Sequence, residues 1–195
     1  MGHEVIVVDG GSHDNTQEIT CSLVDKLLIS DPGRAKQMNH GAKNASGDVF
    51  LFLHGDSIIP VKLHQILIKN ISNDLEWGMF SIYLSGNKIV FRIIERFINL
   101  RSRLTNIATG DQGIFVTKKL FKLIEGYPNI PLMEDIAICR RLKNYRKPIF
   151  FKQTIITSSR RWEERGIIST ILLMWKIRLQ YYLGKDPKIL AKLYD

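Results

Sequence analysis

The sequence has few cysteines and no long hydrophobic run, and both absences narrow its class. Cys21 and Cys139 are its two cysteines, and they form no CxxC pattern. This excludes a cysteine metal cluster and a disulfide framework, and it predicts two buried thiols in a reducing compartment. The longest uncharged apolar stretch lies between Arg165 and Lys176. A bilayer span needs about 20 such residues, so the sequence predicts no transmembrane helix. No signal-peptide pattern precedes the first apolar run, so the expected location is the cytoplasm.

Negative charge is also scarce. The chain has 28 Lys and Arg against 19 Asp and Glu, a net charge of +9. This balance favours an anionic partner: a nucleotide, a phospholipid surface or nucleic acid. A nucleic-acid-binding module rests on this charge alone, because no zinc-finger, helix-turn-helix or RNA-recognition signature accompanies it, and we expect no nucleic-acid partner.

The 195 residues are 45% apolar and 24% charged, which is typical of a single globular domain. In the first half, short apolar runs alternate with helical patterns. This alternation predicts an α/β domain with a parallel sheet and helices on both faces. The second half is more mixed, with strands and long helices in less regular order. The predicted strands are residues 5–8, 26–30, 48–53, 77–84, 114–117 and 149–157, and the predicted helices start near 16, 34, 60, 89, 134, 166 and 187.

Polar clusters follow three of the predicted strands, where open α/β sheets bind their ligands. The clusters are Asp9-Gly10-Gly11-Ser12, Asp31-Pro32-Gly33-Arg34 and His54-Gly55-Asp56. Each also fits an ordinary turn, because Asp and Gly dominate turns. His54 and Asp56, one residue apart, could hold a divalent cation that bridges phosphates.

Two further segments could carry chemistry. Glu134 and Asp135 begin a predicted helix, where acids either complement the helix dipole or provide a general base, although a helix N-terminus lowers a carboxylate pKa and weakens the base. Arg160 and Arg161 lie in a strongly basic run. Paired arginines suit a diphosphate, and the alternative is a solvated basic face.

Taken together and in order, these segments resemble glycosyltransferase family 2. The resemblance is carried by VVDGGSHDNT (7–16), GRAKQMNHGAKNASGDVFLFLHGD (33–56), GDQGIF (110–115), PLMEDIAICRRL (131–142) and SSRRW (158–162). They are similar to the family's nucleotide-binding turn, the approach to its D-x-D metal motif, its acceptor loop, its catalytic carboxylate segment and its Q-x-x-R-W-like segment. The sequence is most similar to a small bacterial subgroup with H-x-D and R-R-W.

The resemblance implies a GT-A-like fold over residues 1–165, with a mostly parallel mixed sheet flanked by helices, and a C-terminal unit of an apolar and a short helix over residues 166–195. It implies an inverting enzyme that moves a sugar from a nucleotide-diphosphate sugar, UDP-sugar above all, to a hydroxyl acceptor of the lipid or carotenoid type. A non-catalytic nucleotide-binding relative is the alternative.

The resemblance also implies roles for single residues. Asp135 matches the base, and Asp56 matches the metal-binding Asp for Mn²⁺ or Mg²⁺, with His54 beside it. The remaining residues belong to the nucleotide and diphosphate contacts: Asp9 with Gly10, Gly11 and Ser12, Arg34, and Arg161 with Trp162.

The sequence departs from the family in three places. His54 replaces the first Asp of the metal motif. Ser158 stands where processive enzymes have Gln, so no polymer synthase is expected. The family's first strand, which lies centrally between the strands that end at Asp9 and His54, is absent. We therefore expect that the chain is truncated at its N-terminus. Either the natural reading frame starts further upstream, or this is a truncated, inactive copy.

The apolar segment 166–183 is too apolar to be fully solvated. Packing on the domain or in a homodimer is one expectation for it. Peripheral contact with the inner face of the membrane is the other, because Lys176 and Arg178 could meet anionic lipid.

Overall fold

The strands form two sheets in the computed structural model, which describes residues 3–60, 63, 65, 67 and 76–194. In the smaller sheet, β1 (Ile6–Asp9) pairs in parallel with β2 (Lys26–Ile29). The larger sheet has the order β3-β5-β4-β6, with β5 antiparallel to both neighbours and β4 parallel to β6. Its strands are β3 (Val49–Phe52), β4 (Trp77–Leu84), β5 (Ile114–Thr117) and β6 (Ile149–Thr157).

Helices alternate with these strands and continue beyond the last one. Their bounds are α1 Thr16–Cys21, α2 Arg34–Asn44, α3 Ile89–Thr105, α4 Lys118–Leu123, α5 Glu134–Lys143, α6 Arg160–Glu164, α7 Ile167–Tyr182 and α8 Pro187–Tyr194. A 3₁₀ helix covers Gly110–Gln112. Of the helix expected after Pro60, Leu63, Gln65 and Leu67 are helical, and its other residues lie outside the described ranges.

The expected mixed α/β fold is confirmed. Its described strands are less parallel than expected, because β1–β2 and β4–β6 pair in parallel whereas β3–β5 and β4–β5 pair antiparallel. Between the described parts of β1 and β3 there is no hydrogen-bonded ladder. Helix α2 contacts both strands: Gln37 donates to the Val8 carbonyl (2.9 Å), and Ala42 shares a core cluster with Phe50. The separation lies where a further strand was expected, and truncation of the chain stays a prediction.

The edge of β4 is satisfied by side chains over half its length. Only Trp77, Gly78 and Met79 pair with β5. Beyond them, side chains bond the backbone groups on that edge. Gln112 donates to the Phe80 carbonyl (3.2 Å), and Glu95 accepts from Leu84 N (2.5 Å). The Asn99 side chain accepts from Ile82 N (2.9 Å) and donates to Ile82 O (3.2 Å). Asn99 and Glu95 belong to α3, so these bonds fix α3 against the sheet.

The core joins the C-terminal helices to the sheet. Ile136, Cys139 and Leu142 of α5 are fully buried, as their spacing predicts. Ile177 of α7 and Leu190 of α8 lie in the same apolar cluster. No helix in the described ranges is both long enough and apolar enough to cross a bilayer.

The expectation of two buried thiols was wrong for Cys21, which is exposed, and right for Cys139. Cys21 ends α1, a helix without buried residues. Gln17 of α1 donates to Asp9 (2.6 Å) and so joins the helix to the turn after β1.

We predict that Asn99→Ala lowers the unfolding free energy by about 1–3 kcal/mol, because it leaves two backbone groups of Ile82 without a partner. Asn87→Ala is the matched control, because Asn87 is exposed in the loop before α3. Urea denaturation of both variants measures the difference. Equal stabilities would show that these bonds contribute nothing.

Candidate active site

An imidazole–carboxylate pair lies at the end of the larger sheet where β3 and β6 finish and β5 begins. His54 Nδ1 is 3.2 Å from Asp111 Oδ1, and Thr157 Oγ1 donates to the same oxygen (3.4 Å). Burial alone would lower the pKa of His54, but the hydrogen bond and charge of Asp111 raise it above its ordinary value. The same contact holds the pKa of Asp111 below its ordinary value, against the effect of its burial.

Gly110 connects this pair to the acidic start of α5. Its N–H donates to Asp135 Oδ2 (3.1 Å). A Cβ at this position would lie 2.3 Å from His54 Nε2, so the imidazole can pack here only against a glycine. Gly110 therefore sets the spacing between His54 and Asp135.

Burial governs the two acids that begin α5. It raises the pKa of Glu134, and the charge of Asp135 raises it further. Burial also raises the pKa of Asp135, although the N–H groups of Ile136 and Gly110 partly offset it. The sequence-based expectation of a lowered pKa at this helix N-terminus was therefore wrong for Asp135, because the loss of hydration outweighs the helix end. Met133, directly before the pair, has the left-handed φ of 68°, a strained conformation for a residue with a side chain.

Arg34 brings positive charge to the acids. Its guanidinium lies 3.7 Å from Glu134 Oε1, and it opposes the raised pKa of both Glu134 and Asp135. Its side chain remains 46% exposed, whereas that of Glu134 is 3% exposed. Arg34 therefore closes one side of the acidic cluster and keeps contact with solvent.

A small pocket opens between these elements. Its lining combines apolar walls with the acids, and consists of Met38, Phe52, His54, Gly110, Ile114, Tyr127, Glu134 and Asp135. The Asn39 side chain holds one wall in place, because it accepts from Tyr127 N (2.9 Å) and donates to Tyr127 O (2.8 Å). The Tyr127 ring then packs edge-on against Phe52 with centroids 5.0 Å apart.

The turn after β1 forms its own hydrogen-bonded unit. Asp9 is 5% exposed and accepts from Ser12 N (3.1 Å) and from Gln17 Nε2 (2.6 Å). Hydrogen bonds from Ser12 and Gln17 lower the pKa of Asp9. Gly11 has φ +92°, which favours glycine, and a Cβ on Gly10 would press on Gln37. The turn is therefore a preformed loop, and it contributes no residue to the lining of the pocket.

The predicted metal residues lie close to each other but differ in environment. Asp56 is exposed, and its charge contributes to the raised pKa of His54, whose Nδ1 faces Asp111. Among the described residues, no group of three or more His, Cys, Asp or Glu side chains could hold a metal ion.

The predicted diphosphate residues contact the C-terminal part of the chain. The Arg161 guanidinium lies 4.1 Å from the centroid of the Tyr194 ring and hydrogen-bonds its hydroxyl. Trp162 packs with Phe91 of α3 and Ile167 of α7. Their role in donor binding stays a prediction.

Asp111 was not singled out in the sequence, although it lies inside the GDQG segment. Ligands of open α/β sheets are expected beyond the carboxyl ends of the strands, whereas Asp111 precedes a strand. Because β5 is antiparallel to β3, with Ile114 opposite Phe52, the start of β5 meets the end of β3. Two glycines around a carboxylate just before a short apolar run were the available signal.

The fold agrees with the comparison to known families. The family model for glycosyl transferase family 2 matches residues 2–121, and the chain belongs to this family. The family comprises enzymes that transfer sugars, and the mixed α/β architecture is that of its GT-A members.

Individual relatives are more distant. The chain is 32% identical over 95 residues to dolichol-phosphate mannosyltransferase of Pyrococcus furiosus, covering 46% of this chain and 27% of that protein. It is 25% identical over 187 residues to poly-beta-1,6-N-acetyl-D-glucosamine synthase of Staphylococcus aureus, covering 92% of this chain and 39% of that protein. The mannosyltransferase PcManGT of Pyrobaculum calidifontis, solved with GDP-Man and Mn²⁺, superposes with a TM-score of 0.60 at 17% identity, over 98% of this chain and 59% of that one. The chain thus spans less than two thirds of the length of these relatives.

The raised pKa values predict how stability depends on pH. The folded state holds protons on Glu134 and Asp135 that the unfolded chain has already released above the ordinary values of 4.5 and 3.8. The unfolding free energy should therefore fall as pH rises from these values through the raised ones. Glu134→Gln/Asp135→Asn should remove this contribution, so the melting temperature of the double variant should gain on the parent as pH rises. Each unit of pKa shift changes the unfolding free energy by about 1.4 kcal/mol. Each kcal/mol of unfolding free energy shifts the melting temperature of a chain of this size by about 2–4 °C. Thermal melts between pH 4 and 8 measure it, and a constant difference would contradict it.

Proposed function

We propose that the pocket at Asp135 catalyses inverting transfer of a sugar from a nucleoside-diphosphate donor to a hydroxyl acceptor. The observation that carries the proposal is the position of Asp135: a carboxylate with a raised pKa, on the wall of a pocket that it shares with His54 and Gly110 from the part of the chain matched by the family 2 model. Inversion requires one in-line displacement, in which a base takes the proton of the acceptor hydroxyl as the leaving diphosphate departs.

Asp135 fits the base better than Glu134. The Glu134 side chain is 3% exposed and faces Arg34, so its charge already has a partner. Asp135 is only half-buried, and its two oxygens are oriented by the N–H groups of Ile136 (2.7 Å) and Gly110 (3.1 Å). A raised pKa strengthens a carboxylate as a base.

Arg34, Asp56 and His54 are proposed to hold the donor. A partly exposed guanidinium beside the pocket suits a diphosphate, which binds such a planar fork through two oxygens. Carboxylate and imidazole together suit Mn²⁺ better than Mg²⁺, and one or two side chains suffice where substrate phosphates complete the coordination. Such a cation stabilises the charge that develops on the leaving diphosphate. Asp111 contacts His54 Nδ1 and so orients the imidazole, and a cation at Nε2 would require the neutral ring.

The donor is proposed to be a UDP-sugar, with Asp9 and its turn on the uracil or ribose and with Arg161 and Trp162 on the diphosphate and acceptor side. The related PcManGT was solved with GDP-Man, so UDP- and GDP-sugars both belong in the test. The acceptor is proposed to be a lipid-linked hydroxyl. This proposal is supported by one relative, whose name, dolichol-phosphate mannosyltransferase, refers to a lipid.

The base is tested by two isosteric variants. Asp135→Asn should lower the turnover rate by about 10²- to 10⁴-fold and leave donor binding nearly unchanged, because a base acts in the transition state. Glu134→Gln is the matched control and should keep most of the turnover. Donor hydrolysis and transfer assays give the rates, and isothermal titration gives the donor affinity. Loss of turnover in Glu134→Gln alone would assign the base to Glu134, and hydrolysis by neither the parent nor the variants would favour a non-catalytic nucleotide-binding protein.

The metal site is tested by ligand-induced stabilisation. A UDP- or GDP-sugar at one hundred times its dissociation constant, with Mn²⁺, should stabilise the parent by about 2.7 kcal/mol. Asp56→Ala should lose the part of this stabilisation that depends on Mn²⁺. Asp31→Ala is the control, because Asp31 is also an exposed loop carboxylate and its partner is Lys36 (3.1 Å). Equal Mn²⁺-dependent shifts in Asp56→Ala and the parent would remove Asp56 from the site.

A further inference from the structure

Helix α3 carries an apolar stripe that faces solvent. The stripe residues recur at spacings of four, four, three and four, so they share one side of the helix. They are exposed by 49–81%, and they are Ile89, Ile93, Phe97, Leu100 and Leu104. The opposite side of α3 carries Glu95 and Asn99, which bond β4. The inward side of α3 also carries the buried Phe91 and Ile94, so the helix is held by polar and apolar contacts and still presents a second apolar side outward.

Helix α7 and the residue after it repeat this arrangement. Their stripe has spacings of four, three, four and four, exposed by 60–77%, and consists of Ile168, Leu172, Trp175, Leu179 and Leu183. The buried face of α7 carries Thr170 and Ile177. Isolated exposed apolar residues are ordinary, but two complete helical stripes are not.

Near their N-terminal ends the two helices pack in one apolar cluster, which lies beside the first residues of each stripe. Val90, three residues before Ile93, and Ile171, three residues after Ile168, pack in the same apolar cluster. Residues three apart on a helix are neighbours on its surface, so each contact lies beside its own stripe. We name this joint surface the α3–α7 face.

The exposed charges on the two helices of the α3–α7 face have one sign, whereas α6, directly before α7, exposes Glu163 and Glu164 beside Arg160. The exposed charged residues of the two helices are Arg96, Arg103 and Lys176. The one acid in α3 is Glu95, which is buried and paired with Arg92 (2.9 Å), and the sequence of α7 contains no acid. An apolar surface bordered by exposed cations complements a membrane with anionic headgroups.

We propose that the α3–α7 face docks on an anionic lipid surface, with the apolar stripes in the interface and Arg96, Arg103 and Lys176 at the headgroups. A second copy of the chain is a poorer occupant. A two-fold interface would bring the same arginines and lysine towards their own copies, and no exposed acid on either helix would neutralise them.

The α3–α7 face also lies directly behind the proposed active site. Ser102 of α3 donates to Gln112 (2.7 Å), the neighbour of Asp111 in the 3₁₀ helix. A lipid surface under α3 would therefore be separated from the 3₁₀ helix by the thickness of α3, about 10 Å. That this places a lipid-linked acceptor beside Asp135 rests on the proposed function, whereas the docking itself does not.

Flotation of the full chain with vesicles tests the docking. Vesicles of phosphatidylcholine with one third phosphatidylglycerol should carry the protein upward at low salt, and pure phosphatidylcholine should carry much less. Trp175 is 71% exposed, whereas Trp77 is 1% exposed. A blue shift of tryptophan emission on vesicle addition, lost in Trp175→Phe, would place α7 in the interface.

Variants separate the apolar and the charged contributions. Phe97→Ser/Trp175→Ser should lower the partition coefficient at least tenfold, because it removes two large side chains from the interface. Ile19→Ser/Leu23→Ser is the matched control on another exposed part of the molecule and should float as the parent does. Arg96→Gln/Lys176→Gln should lower binding about tenfold or more on anionic vesicles and little on neutral ones.

Three outcomes would overturn the proposal. The first is that the parent does not float at low salt, and the second is that Phe97→Ser/Trp175→Ser floats as well as the parent. The third is that the parent binds no vesicles and sediments as a dimer, whereas this variant sediments as a monomer. The last outcome would assign the α3–α7 face to a second copy. Because no assay here contains a sugar donor, flotation without transferase activity would refute the proposed function and leave the docking intact.

Discussion

The free edge of β4 is the constraint on which the surrounding structure depends. A buried backbone group without a partner costs about 1–3 kcal/mol, and β5 is too short to pair with β4 beyond Met79. Glu95, Asn99 and Gln112 supply the bonds that another strand would otherwise make. The sheet therefore needs α3 and the 3₁₀ helix in one particular position.

The candidate site inherits its geometry from this constraint. Gln112 bonds Phe80 O and also accepts from Ser102 (2.7 Å), which holds the 3₁₀ helix between the sheet and α3. The same short helix carries Gly110 and Asp111, and through them the bonds to Asp135 and His54. Polar groups that satisfy the sheet thus position the groups proposed to carry the chemistry.

Local patterns in the sequence predicted the elements well, because apolar periodicity records burial directly. Residues 35, 38, 42 and 45 and residues 136, 139 and 142 pack inward as their spacing indicates. Cys21 departs from this because α1 packs no side chain into the core, which no property of the thiol reveals. The division into two sheets, and the side chains that replace a strand on β4, depend on contacts between residues far apart in the chain.

The site was only partly predictable for the same reason. His54 and Asp135 were singled out as a strand end and a helix start, but their connection through Gly110 requires three segments to meet. Asp111 became visible only with the antiparallel pairing of β5. The pKa of Asp135 depends on how deeply α5 is buried, and its position at a helix N-terminus suggested the opposite direction.

The match between α3 and β4 also determines which changes of chain length the protein can absorb. Glu95 and Asn99 are four residues apart, a rise of about 6 Å along a helix, and their targets Leu84 and Ile82 are two residues apart, about 6.6 Å along a strand. The two repeats are commensurate, with helix and strand running in opposite directions. One residue deleted between Glu95 and Asn99 would rotate the rest of α3 by about 100°, withdraw Asn99 from the strand and turn part of the outer stripe inward. The start of the loop before α3 is tied down as well, because Gly86 O accepts from Arg92 Nη2 (2.8 Å) and Ser85 Oγ accepts from Ser159 N (3.2 Å), so the chain absorbs a change of length poorly throughout the stretch from Leu84 to Asn99.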